Sequence, residues 1–187
     1  MKELTYVTGN AIKFHQGALA CETFDIKLLQ TKLSIDEIQA ETGEPVARDK
    51  AQKAFEQLGT PLVVSDDSWS IPGLGGFPGP YMKDINDWFT PDDWLRLTIT
   101  LEDRRAILRQ IVVYQDRHGQ QLFSVDIEGI LLKESRGKSP YAHAHIVSFD
   151  GGKTASAEYH ALGKSAHDTR RHAWHDFAQW LTENPRV

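Results

Sequence analysis

Three short stretches carry residues whose types and order suit phosphate chemistry. The first is Thr8-Gly9-Asn10-Ala11-Ile12-Lys13, between a short apolar run and a helix-compatible segment. A glycine lets the backbone turn tightly there, and the N–H groups of a helix start suit an anion. Thr8 and Asn10 add side-chain donors, and Lys13, one turn in, reaches a phosphate. The plainer reading of the same residues is an Asn N-cap followed by a surface lysine. The second stretch is the acid pair Asp66-Asp67, just after the apolar Pro61-Leu62-Val63-Val64. Adjacent like charges repel unless they are solvated or share a cation. Two acids at the carboxyl end of a strand suit Mg²⁺, and one of them suits an attacking water. The alternative is a solvated turn closed by an Asp side chain. The third stretch follows at once, with Pro72, Pro78 and Pro80 stiffening a run opened by Gly73, Gly75, Gly76 and Gly79. Such a loop lets backbone approach a ligand closely. Lys83 comes next, a second candidate phosphate contact. Glu37 is an ordinary exposed loop acid unless the fold brings it to Asp66 and Asp67.

The histidines offer a competing site. On a strand, His143 and His145 share one face. On a helix, His172 and His175 stand at i, i+3. No acidic or cysteine partner stands at a matching interval, so structural or solvent-facing roles are preferred to a metal centre. Trp174 and Trp180 read as core or interface. Bulk properties narrow the class further. The 187 residues suit one domain, or one domain with a lobe. A net charge of -5 gives no basic surplus for a nucleic-acid polymer, although local lysines still serve a small anion. Cys21 is the only cysteine, which excludes an intramolecular disulfide and a thiolate zinc site. Without a signal-like apolar start or a run of membrane-spanning length, the expectation is a cytoplasmic protein with no membrane partner.

The elements that must position these residues alternate through the first half. Leu4 to Val7 reads as a strand, Ala11 to Glu22 as a helix and Thr23 to Gln30 as a strand. Leu33 to Gly43 reads as a loop. Glu44 to Leu58 places Ala47, Ala51, Ala54, Phe55 and Leu58 at helical spacing, with Gly59 as the stop and a strand from Pro61. This β-α-β-α-β order predicts an α/β sheet with crossover helices. Tyr81 to Phe89 and Pro91 to Leu101 read as helices, with Pro91, Asp92 and Asp93 forming a favourable first turn. Ala106 to Gln115 and Gln121 to Leu132 read as a hairpin. Ala144 to Phe149 reads as a short strand, and Lys164 to Thr182 as an amphipathic helix presenting Trp174, Phe177, Ala178 and Leu181.

The TGNAIK motif, a Glu in the next loop, an acid pair after a buried strand and the run GLGGFPGPYMK together resemble the inosine triphosphate pyrophosphatase family. The resemblance covers nearly the whole chain. It implies an α/β fold, elongated and two-lobed, with a mixed twisted sheet flanked by helices and a nucleotide cleft between the lobes. It implies one domain over residues 1–187, with a second lobe at roughly 81–149. It further implies Mg²⁺-dependent hydrolysis of a nucleoside triphosphate to monophosphate and pyrophosphate, by a homodimer that clears ITP, XTP or dITP from the nucleotide pool. Carried over by position, Thr8, Asn10, Lys13 and Lys83 bind phosphates. Glu37, Asp66 and Asp67 hold the metal, and Asp66 and Asp67 are the catalytic acids. Gly76, Tyr141, Lys164 and Arg170 fall to the nucleotide and its base. Ungapped counting from GGFPGPY makes Asp66 the essential acid, with Ser65 in place of the acid before it. Local similarity, with a loop one residue shorter, makes it Asp67.

The last third departs from the family pattern. Ser139 to His145 lacks the aromatic-rich segment with Asp-Pro that reads the base. Only Lys164 and Arg170 stand from the motifs near the last helix. Phosphate and metal machinery is therefore kept and the base reader rewritten. The alternatives are altered base specificity, or a nucleotide-binding protein with reduced catalysis.

Overall fold

The computed structural model describes residues 2–162 and 172–184. These divide into two compact units: one from residues 1–67, 110–125 and 171–187, the other from residues 68–109 and 126–170.

In the first unit, β1 (Lys2–Val7) leads into α1 (Ala11–Glu22), β2 (Ile26–Thr31), α2 (Gly43–Leu58) and β3 (Leu62–Ser70). β1 pairs parallel with β2 from Lys2↔Ile26 to Val7↔Thr31, and with β3 at Thr5↔Leu62 and Tyr6↔Val63. Parts of β5 (Arg105–Asp116) and β6 (Gly119–Leu131) extend the order to β2-β1-β3-β5-β6. Strand alternation splits the apolar residues between two faces. Leu4, Tyr6, Val63, Val112 and Tyr114 pack with Ala20 and Cys21 of α1 and with Trp174, Phe177 and Leu181 of α6 (Ala173–Glu183). Val7, Leu62, Val64, Ile111 and Val113 pack with Ala47, Ala51 and Ala54 of α2. The stop at Gly59 is as expected, with a left-handed φ of 68° and its N–H on Phe55 O.

In the second unit, the end of β3 pairs antiparallel with β4 (Pro78–Gly79), and β6 pairs antiparallel with β7 (Val147–Ser148). Three helices are added: α3 (Met82–Trp88), α4 (Pro91–Thr98) and α5 (Ser156–His160). Thr90 and Asp93 cap α4 reciprocally: Asp93 N–H donates to Thr90 Oγ1 at 3.2 Å and Thr90 N–H to Asp93 Oδ2 at 2.9 Å. The sheet therefore mixes parallel and antiparallel pairs, as an α/β fold of this class requires.

Three expectations change. β3 continues through the acid pair to Ser70, so the acids lie within the strand rather than after it. Hydrogen bonding to neighbouring strands overrides the poor strand propensity of Ser and Asp. Only Val147–Ser148 of residues 144–149 is strand; Ala142–His145 is a 3₁₀ turn, so His143 and His145 do not share a strand face. The last helix begins at Ala173, and residues 164–171 of the expected helix lie outside the described residues. The Gly/Pro run folds on itself, with Ile71 O accepting from both Leu74 N–H and Gly76 N–H and Phe77 O from Ile71 N–H.

Candidate active site

The turn after β1 is built around Asn10, which caps α1. Its Oδ1 accepts from the N–H groups of Ile12 at 2.9 Å and Lys13 at 3.1 Å, and its own N–H donates to Thr8 Oγ1 at 3.1 Å. Two amides that the sequence offered to an anion are therefore taken by the cap. Gln30 Nε2 holds the Thr8 carbonyl at 3.1 Å. The group this turn presents is the Lys13 side chain.

Lys13 Nζ lies 3.1 Å from Asp67 Oδ2 and 3.7 Å from Asp66 Oδ1. Burial alone would favour the neutral amine, but the charges of Asp67 and Asp66 outweigh it and hold the Lys13 pKa above its ordinary range. Asp66 is shifted up, first by burial and then by the adjacent Asp67, against the opposing pull of Lys13 and Lys50. Asp67 N–H also donates to Asp66 Oδ1 at 2.9 Å. So the pair is neither fully solvated nor left to repel: it shares one ammonium.

Alternation along β3 explains how each acid meets its neighbours. Val63 faces α1 and α6, whereas Leu62 and Val64 face α2. Continuing the period of two sends Ser65 and Asp67 toward α1 and Asp66 toward α2. Accordingly Tyr6 senses the charge of Asp67, and Lys50 of α2 acts on Asp66. Lys50 Nζ also pairs with Glu37 Oε1 at 2.7 Å, and Lys53 Nζ donates to Asp36 O at 2.7 Å, fixing the loop that carries Glu37. The fold thus joins Glu37 to the acid pair through a lysine.

Sequence reasoning missed Lys50, although a signal was available. It stands three residues after Ala47 and four before Ala54, a charge on the apolar stripe of α2. It also missed the partner of Ser65, whose hydroxyl is hydrogen-bonded to Tyr6 OH, both side chains being buried. No local pattern announces a contact across fifty-nine residues.

The remaining expected site residues belong to the second unit or lie outside the described residues. Lys83 is exposed in the first turn of α3. Gly76 holds a positive φ of 95°. Tyr141 N–H donates to Ser139 Oγ at 3.1 Å, and its ring centroid lies 6.1 Å from that of His143. Lys164 and Arg170 lie outside the described residues. His143 is anchored twice by Asn86 Oδ1, at 3.2 Å through its backbone N–H and at 2.9 Å through Nδ1. His145 Nε2 donates to Ser139 O at 3.1 Å. Among the described residues no three His, Cys, Asp or Glu side chains form a ready metal cluster.

Mg²⁺ binds through one or two carboxylates, completing its shell with water and substrate phosphates. Asp66 and Asp67 are hard oxygen donors that already converge on one cation, so the residues present fit the ion.

Comparison with known proteins gives the family and the fold. Residues 4–180 match the Ham1 family. The dITP/XTP pyrophosphatase of Methanosarcina acetivorans is 31% identical over 186 residues, covering 97% of this chain and 98% of its own. That of Methanopyrus kandleri is 28% identical, covering 97% of each. Among solved structures, a HAM1 protein from Coxiella burnetii superposes with a TM-score of 0.77 at 20% identity, over 98% of this chain and 100% of the other. The Staphylococcus aureus Ham1 protein gives 0.76 at 18% identity, over 97% and 99%. These structural likenesses bear on the fold. Since the family match runs from β1 into α6 and spans Lys13, Glu37, Lys50, Asp66 and Asp67, the chain belongs to the Ham1 family.

Proposed function

We propose that this chain is a Mg²⁺-dependent nucleoside triphosphate pyrophosphohydrolase acting on dITP, XTP and ITP. The observation that carries the reading is the shared ion pair of Lys13 with Asp66 and Asp67. A lysine poised between two carboxylates can turn to a phosphate once another cation takes the acids. Glu37, Asp66 and Asp67 would hold Mg²⁺, which supplies positive charge to phosphoryl oxygens when bound. Lys13 and Lys50 add fixed positive charge where the leaving pyrophosphate gains negative charge. One acid of the pair orients or deprotonates the attacking water. Cleavage falls between the α and β phosphates, releasing monophosphate and pyrophosphate. The names dITP and XTP come from the relatives, which are dITP/XTP pyrophosphatases, and ITP comes from the motif resemblance. The setting that goes with this reading is nucleotide-pool sanitation by a cytoplasmic homodimer.

The test is a substrate panel of ITP, XTP, dITP, ATP, GTP, dUTP and dCTP, with Mg²⁺ and with EDTA. The expected result is turnover with Mg²⁺ only, ranked with dITP and XTP above ATP and GTP. Equal rates on all seven would place the chain among unspecific pyrophosphohydrolases. No turnover, with nucleotide still bound, would make it a binding protein.

A further inference from the structure

We propose that Tyr6 and Ser65 form a buried hydroxyl pair that positions Asp67 and Lys13, making Tyr6 a positioning residue for the acid pair. The backbone pairing of β1 with β3 is registered at Thr5↔Leu62 and Tyr6↔Val63, short of the acids. Ser65 lies beyond that register and one residue before Asp66. The Tyr6 phenol reaches past the end of the pairing and hydrogen-bonds Ser65 Oγ. It therefore ties the acid-bearing part of β3 to the strand that leads into the Lys13 turn. Ser65 lies on the strand face that also carries Asp67, the acid closer to Lys13 at 3.1 Å.

The ring that carries this hydroxyl is held firmly. Tyr6 is fully buried, stacked on Phe14 at 6.1 Å and edge-on to Trp174 at 4.7 Å. A tyrosine buried among apolar side chains brings a polar tip that must be satisfied. Phenylalanine would fill the same space without that demand. What tyrosine adds is a fixed point next to the acids. Catalytic geometry is sensitive to displacements of about an ångström, so such a point affects rate more than binding.

The kinetic part of the test rests on the hydrolase reading; the metal-binding part does not. Steady-state kinetics on dITP with Mg²⁺ compare the wild type, Tyr6→Phe, Ser65→Ala and the double variant, with thermal midpoints measured alongside. Tyr6→Phe keeps the ring and its packing. The expected result is a kcat reduced roughly tenfold with KM changed less than about twofold. The double variant should be no slower than the worse single one, because the two hydroxyls act as a unit. A Tyr6→Phe enzyme with wild-type kcat, or multiplicative losses in the double variant, overturns the proposal. Mn²⁺ binding followed by electron paramagnetic resonance reports on the acids without turnover. Weakening of at least threefold in both single variants supports the pair, and unchanged affinity contradicts it. If the wild type hydrolyses none of the nucleotides, the hydrolase reading fails and the Mn²⁺ result alone decides the proposal.

Discussion

Lys13 is where charge, burial and chemistry meet. Its ammonium is the counter-charge for two adjacent carboxylates, with side-chain exposures of 24%, 19% and 27% for Lys13, Asp66 and Asp67. Lys13→Met removes the cation and leaves the acids to repel each other. We expect loss of turnover together with a destabilisation of roughly 1–3 kcal/mol by urea unfolding. Asp67→Asn keeps shape and packing. It should cut pyrophosphate release by about a hundredfold or more while the unfolding midpoint in urea moves little. The TGN-x-x-K motif and the acid pair were legible in the sequence because each is local. The Lys50–Glu37 pair was not, because it depends on how a loop lies against α2. The Asn10 cap was legible as the reading that competes with an anion site, but not that one oxygen would take two amides at once.

At the scale of elements, the packing of α1 against α6 limits what α1 tolerates. A Cβ at Gly17 would lie 2.8 Å from Trp174 Cζ2, on a side chain that is itself 1% exposed. Alanine would add about 0.5–1 kcal/mol of helix propensity. Overpacking against an immobile indole costs about 1–3 kcal/mol, so Gly17→Ala should lower the thermal midpoint. The turn after β7 gives a pH-dependent prediction. Burial would raise the Asp150 pKa, but hydrogen bonds from Thr154 N–H and Ser148 Oγ outweigh it and hold the carboxyl down at about 2. A depressed pKa stabilises the fold fully above the ordinary carboxylate range. That contribution, roughly 2 kcal/mol at most, should vanish as the pH falls from about 4 to 2. Asp150→Asn should flatten that part of a stability-against-pH curve. Periodicity located α2 to within a residue. It failed at β3, where neighbouring strands recruit Ser65 to Ser70. It also failed at residues 142–145, where alternation looked strand-like but the backbone turns.

At the scale of the whole molecule, the first unit alone carries Lys13, Glu37, Lys50, Asp66 and Asp67, and the second carries Gly76, Lys83 and Tyr141. The strand-helix alternation made the α/β class legible. The β5 and β6 strands were legible as a hairpin over residues 106–132, whereas the continuation of β3 to Ser70 was not, because a strand's length depends on its neighbours. Among the described residues no helix is long and apolar enough to cross a membrane. Cys21 probes the integrity of the first core. It is fully buried, and burial pushes its thiol up to about 12. Thiol reagents should therefore modify it only at the rate at which that core opens, and increasing reagent should not speed the reaction once opening limits it. The central claim is that one lysine and two aspartates serve pyrophosphate-releasing hydrolysis. The most direct test separates the products of dITP incubated with Mg²⁺ and the wild-type, Asp66→Asn or Asp67→Asn protein. The account predicts monophosphate and pyrophosphate from the wild type, with release abolished in at least one variant. Diphosphate and free phosphate as the products, or undiminished release from both variants, would contradict it.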